Sequence, residues 1–205
     1  MPVVFPPKSL AILVVIAACS RAASTEASAP APAAAPAQSA SVATGRAPYT
    51  RADVHFMSGM IVHHRQAVVM SRWATDTTHG ASGSVRGLSE RIIVAQSDEM
   101  AFLERWLRER NEPAMDHAMQ MPGMLTPEQM SQLDRARGTE FDRQFLTLMI
   151  QHHQGALTMV DALLKEQGAA QDGVVFRFLA DVHADQSTEI ERMQRMIDAL
   201  PSGGK

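Results

Sequence analysis

Cys19 is the only cysteine in this chain of 205 residues, so the body of the protein can form neither an internal disulfide nor a thiolate metal site. Any soft metal ligand there must be methionine, of which the chain has 14. Glu-x-x-His occurs nowhere in the sequence, which removes the motif on which di-iron and di-manganese carboxylate bundles are built. The apolar run at residues 10–18 is too short to span a bilayer. Positive charge is not in excess either: 19 Lys and Arg stand against 22 Asp and Glu, a formal charge of −3. Removal of residues 1–18 takes away only Lys8, leaving 19 − 1 = 18 basic groups and a charge of −4. Nucleic acid is therefore not an expected partner.

What the N-terminus does have is a basic Lys8, the apolar run and small residues before Cys19, the layout of a secretory signal peptide over residues 1–18. Ile16-Ala17-Ala18-Cys19 also resembles the bacterial lipobox, in which the cysteine is acylated and becomes the anchored N-terminus. An ordinary signal peptide cut nearby is the alternative. Both readings predict export to the periplasm or cell envelope, and the first confines membrane contact to the lipid. Residues 19–48 are mostly Ala, Pro and Ser, too poor in large apolar side chains to offset the entropy of ordering. They read as a tether. The remaining 49–200 are the size of one domain with a real core.

That domain is internally repeated. Met60-Ile-Val-His63-His64-Arg-Gln-Ala67-Val-Val-Met70 returns as Met149-Ile-Gln-His152-His153-Gln-Gly-Ala156-Leu-Thr-Met159, an offset of 149 − 60 = 89. Phe56 and Phe145, Asp53 and Asp142, and Thr50 and Thr139 keep the same offset. A weaker echo follows at an offset of 90: Gln96 with Gln186 and Glu99 with Glu189. Arg65 and Val62 of the first copy are replaced by Gln154 and Gln151 in the second. Thr50 with Asp53, and Thr139 with Asp142, have the spacing of a capping hydroxyl followed by a first-turn acid. The spacing predicts helices over 51–74, 84–110, 139–167 and 173–200, with a turn at 80–83 and stops at Pro113, Gly168 and Pro201. Thr126-Pro127-Glu128-Gln129 predicts a further short helix over 127–137. The expected fold is all-α: a four-helix bundle made of two repeated helical hairpins joined by a long Met-rich crossover.

At 100° per residue, Asp53, Phe56, Met57, Met60, His63, His64, Ala67 and Met70 share one broad face of the first helix, and the third helix repeats it. Met60 lies one turn from both His63 and His64, so a thioether and an imidazole can approach one ion; Met149, His152 and His153 can do likewise. Adjacent histidines diverge by about 100°, so one ring of each pair is expected to point inward and the other toward a neighbouring helix or the surface. Imidazole suits several transition metals and thioether selects Cu(I), so the combination predicts copper, Cu(I) above Cu(II). The competing reading makes the methionines core fillers and the histidines satisfied polar groups. In the crossover, Met115, His117, Met119, Met121 and Met124 fit a flexible soft-metal loop, or alternatively a hydrophobic lid over the bundle. His183 is a weaker candidate that could face the motif from the fourth helix, and His55 and His79 are weaker still.

The doubled Met-x-x-His-His-x-x-Ala-x-x-Met frames, with Met121-Pro-Gly-Met124 and Thr126-Pro-Glu-Gln-Met130 between them, resemble the bacterial domain-of-unknown-function family 305 over nearly all of residues 50–200. The resemblance implies a ferritin-like four-helix bundle, export, and a relation to periplasmic copper-binding proteins of the CopM type. It also implies Met60, His63, His64, Met70, Met149, His152, His153 and Met159 as candidate ligands. The expected function is a non-enzymatic envelope protein that sequesters copper or hands it to other copper-handling envelope proteins. Two other classes stand beside it: a lipid-tethered scaffold whose Met-rich face docks a partner without metal, and a di-metal bundle oxidase using Glu99 and Glu189.

Overall fold

A computed structural model of the protein describes residues 48–114 and 121–201. The expected signal peptide, Cys19, the expected tether up to residue 47, and the candidates Met115, His117 and Met119 lie outside the described residues. Within them the helices are α1 (Arg51–Thr75), α2 (Gly83–Glu109), α3 (Pro127–Arg135), α4 (Gly138–Lys165) and α5 (Gly173–Asp198), with a 3₁₀ turn at Thr77–His79 between α1 and α2. The all-α bundle expected from the repeat is the observed fold. No described helix is long and apolar enough to cross a membrane.

Each start follows from local chemistry. Thr50 and Asp53 form a reciprocal capping box at α1, and Thr126 with Gln129 forms another at α3, where Pro127 occupies the first turn. Ser82 caps α2 and Asp172 caps α5. The second copy departs from the expected pattern: α4 begins at Gly138 with no side-chain cap, and Thr139 is exposed. The carboxylate that would have completed that cap is engaged elsewhere. Asp142 accepts from Ser82 N at 3.1 and 3.2 Å, at the turn between α1 and α2. Its repeat partner Asp53 accepts from Ala170 N at 2.8 Å, at the turn between α4 and α5. Each repeat's aspartate thus fastens the turn of the opposite hairpin. Asp142→Ala is expected to cost about 1–3 kcal/mol by leaving a Ser82 N–H without its charged acceptor, whereas Thr139→Ala should leave the melting temperature within error. Equal losses in the two variants would restore the capping reading.

The hairpins α1–α2 and α4–α5 pack through α1 against α4. Two apolar clusters result. One joins Phe56, Met57 and Met60 of α1 to Leu103 and Trp106 of α2, Val160 of α4 and Phe178 of α5. The other joins Met70 of α1 to Leu88 and Ile92 of α2, Phe145 and Met149 of α4 and Met193 of α5. The start of α1 therefore meets the end of α4, and the helices run antiparallel. A buried pair, Arg110 Nη2 and Asp172 Oδ2 at 2.6 Å, ties the end of α2 to the start of α5, with the guanidinium 4.0 Å from the Trp106 ring centroid.

Candidate metal centre

Between the two apolar clusters lies a layer of buried polar side chains at the middle of the helices. His63, His64, His152 and His153 are all fully buried, and Gln96 and Gln186 nearly so. The 100° divergence of neighbouring residues explains their arrangement. The first ring of each pair turns to the bundle axis, where His63 and His152 stand 3.7 Å apart by ring centroid at a 37° tilt. The second ring turns to the partner helix of its own hairpin. His64 Nε2 sits 2.6 Å from Glu99 Oε2, close but off hydrogen-bond alignment, and His153 Nε2 sits 2.6 Å from Glu189 Oε2 as a hydrogen bond. The two glutamates that echoed each other in sequence are therefore the partners of the outer histidines.

These contacts fix the tautomers. His63 Nε2 lies 3.1 Å from the Pro122 carbonyl and His152 Nε2 lies 3.0 Å from the His63 carbonyl. A carbonyl can only accept, so both Nε2 atoms carry the hydrogen and donate it. The Glu189 carboxylate likewise can only accept, so His153 Nε2 also carries a hydrogen, whereas His64 Nε2 makes no hydrogen bond. At His63 and His152 Nδ1 is then left with its lone pair, and the Nδ1 atoms of all four rings are buried without a hydrogen-bond partner. Burial is the first cause that pushes the pKa of His63 down to about 3 and that of His152 well below the ordinary 6.5. Repulsion from neighbouring imidazoles adds to it, while the carbonyls of Pro122 and His63 act weakly the other way. These two rings are neutral across the physiological range. A buried polar atom without a partner costs about 1–3 kcal/mol, a cost that an ion bound at these ring nitrogens would offset. An imidazole whose Nε2–H is held by a carboxylate or carbonyl while Nδ1 stays free is an oriented metal ligand.

The remaining candidates separate. Met60 and Met149, fully buried, lie one helical turn from the histidines of their own copies. Met70 belongs to the second apolar cluster and lies six residues past His64, about 9 Å along the axis; it fills core. Met159 has the corresponding position in its copy and is only half-buried, beside Met121. Met121 is buried and Met124 half-buried. His183 is exposed on the outer face of α5, one residue after the inward Val182, and does not join the layer. His79 is buried against Asp134 at 3.1 Å and packs on Phe141, a structural role. Among the described residues no three His, Cys, Asp or Glu side chains converge as a metal cluster.

The crossover is part of this centre. Met121-Pro-Gly-Met124 makes a tight turn, Met124 N to Met121 O at 3.2 Å, with Gly123 at φ +76°. It lies so close on α4 that a Cβ on Gly155 would stand 2.0 Å from the Pro122 oxygen, and one on Gly123 2.6 Å from the Gln151 oxygen. Gln66, which occupies the first-copy position of Gly155, donates to Leu125 O at 3.0 Å and accepts from Leu125 N at 2.7 Å. Gln151 reaches Gly123 O at 3.4 Å and accepts from Gln129 at 3.3 Å. Two of the positions at which the copies differ, 62/151 and 66/155, are those where the crossover docks. The sequence alone showed the first difference without its role, and the second emerges only when the copies are compared position by position.

Solved structures share this fold. A DUF305 protein of Streptomyces coelicolor, assigned as secreted, matches with 27% identity over 72% of this chain and 92% of its own, at a TM-score of 0.64. A DUF305 fragment from Deinococcus radiodurans matches at 27% over 74% of this chain and 99% of its own, TM-score 0.66. CopM in its Cu(I)-bound form matches at 24% over 73% of this chain and 98% of its own, TM-score 0.59, which speaks for the fold. No curated protein is significantly similar in sequence. The family described as "Domain of unknown function (DUF305)" matches residues 53–197, and the chain belongs to it.

Proposed function

We propose that the chain is an exported, non-enzymatic copper-binding protein that sequesters Cu(I), or hands it on, through the buried histidine layer and its flanking methionines. The observation that carries this reading is the set of four buried Nδ1 atoms without partners. Met60 and Met149 supply soft sulfur within one turn of each pair, and imidazole with thioether selects Cu(I). CopM, a structural relative, has been solved with Cu(I), Cu(II) and silver, which supports the same class of cargo. The secreted relative and the leader-like N-terminus support export, and Cys19 would carry a lipid anchor. The scaffold reading is disfavoured because Met57, Met60, Met70 and Met149 are buried in the core and offer no methionine face to a partner. Glu99 and Glu189, taken up by His64 and His153, speak against the oxidase reading.

An anaerobic Cu(I) titration of the full chain against a chromogenic competitor tests the proposal. The native protein is expected to withdraw copper from the competitor, and at about 100 times Kd the ion should stabilise the fold by about 2.7 kcal/mol. Changing His63, His64, His152 and His153 together to Ala should remove this tight component. Its persistence in the variant would overturn the assignment.

A further inference from the structure

We propose a second soft-ion site, outside the histidine layer, formed by the thioethers of Met121 and Met159 with the imidazole of His55, which captures Cu(I) or Ag(I) at the surface. It rests on the copper reading for its biological cargo, but its ligands and its test are separate.

The site lies in a groove between α1 and α4, a cavity of about 470 Å³ whose lining includes His55, Met121, Thr158, Met159 and Glu166. Gly59 makes it possible. A Cβ on Gly59 would stand 2.9 Å from the Met121 sulfur and 3.7 Å from the Met159 methyl carbon, so both thioether side chains converge on the bare backbone of one helical residue. In the second copy the position of Gly59 is held by Leu148. Met121 is held in place by the Pro122-Gly123 turn, which α4 accommodates through Gly155. His55 lies one turn before Gly59 on the same face, about 6 Å along the axis, and is exposed, so its ring is free to swing over the sulfurs. Two thioethers and one imidazole suit a monovalent soft ion, and Glu166 at the rim contributes compensating charge. Packing alone would be served by Leu at 121 and 159; flexible thioethers facing an accessible groove are what ion capture requires. The lower ligand count and the exposed third ligand make this site weaker and faster to exchange than the buried layer.

Ag(I), which has no redox chemistry to confuse the readout, is titrated into the full chain labelled with ¹³C at its methionine methyls. In the four-histidine variant the Met121 and Met159 methyl signals are expected to shift, and Met121→Leu with Met159→Leu should abolish the response. In the otherwise native chain the same two substitutions should remove one bound equivalent and leave the tight component, which guards against a misfolded histidine variant. His55→Gln, at an exposed position, should weaken the groove site at least about tenfold. Unchanged stoichiometry after the paired Leu substitutions would overturn this site and leave the histidine reading intact. Absence of Ag(I) binding by every protein, native included, would overturn both.

Discussion

Gly155→Ala is expected to destabilise the protein by about 3 kcal/mol, near the upper end of overpacking costs, and at roughly 2–4 °C per kcal/mol to lower the melting temperature by about 6–12 °C. The sign is the informative part. In an exposed helix interior, Ala is more favourable than Gly by about 1 kcal/mol, so a helix free on that face would be stabilised. Here the new methyl would stand 2.0 Å from the Pro122 oxygen and 2.4 Å from the Pro122 carbonyl carbon, both backbone atoms that cannot rotate away. The crossover must lift, and with it go the Pro122 acceptor of His63 and the Gln66–Leu125 pairing. Hydrogen exchange should show loss of protection at Leu125, whose N–H is otherwise held by Gln66, while the centres of α2 and α5 keep theirs. A variant as stable as the native chain, with Leu125 still protected, would show that the crossover is not seated on α4.

Because this strap supplies an acceptor to His63, the substitution also reaches the metal centre. Freed from the carbonyl, the His63 ring loses what fixes its tautomer, and copper affinity should fall along with stability. Gln66→Ala removes the other half of the docking, so the two variants acting on one contact should be less than additive.

The helices were legible because their signals are local: capping residues, a Pro at the first turn, and glycine or proline at the stops act within a few residues. The repeat made the hairpin pairing legible as well, since two copies of one amphipathic face bury each other most simply. Thr139 misled for a tertiary reason. Asp142 is drawn to a turn 60 residues away in the chain, Ser82, and local spacing carries no record of such a competitor. The metal centre divided in the same way. Adjacent histidines had to diverge, and they do, one ring to the axis and one to the hairpin partner. Which atom each ring would leave free depended on Glu99, Glu189, Pro122 and a backbone carbonyl, acceptors from distant segments that no periodicity reveals. Met70 could be placed on the right face, but its place in the second apolar cluster, a further turn and more from the histidine layer, depended on the packing of the other helices. Gly59 and Gly155 had the least visible roles, because a glycine in a helix reads as a weakness until the segment that needs the space is known.

Acid should destabilise the apo protein steeply, and the sign follows from the lowered pKa values. In the folded chain His63 titrates near 3 and His152 well below 6.5, while in the unfolded chain both take a proton near 6.5. Between those values the unfolded state binds protons that the native state refuses, so stability is complete above about pH 7 and declines as pH falls through 6.5. A histidine contributes a slope of about 1.4 kcal/mol per pH unit once well below 6.5, so at pH 5 His63 alone accounts for a loss of about 2 kcal/mol, and His152 adds to it in the same direction. Denaturant unfolding of the metal-free full chain at pH 7.5, 6 and 5 reads this directly. The same series on a His63→Gln, His152→Gln variant should be flatter by that amount, with the carboxylates common to both chains cancelling in the comparison. Parallel curves for the two apo proteins would mean that the axial histidines accept protons in the folded state, and the neutral, Nε2-protonated pair on which the metal centre is built would have to be abandoned.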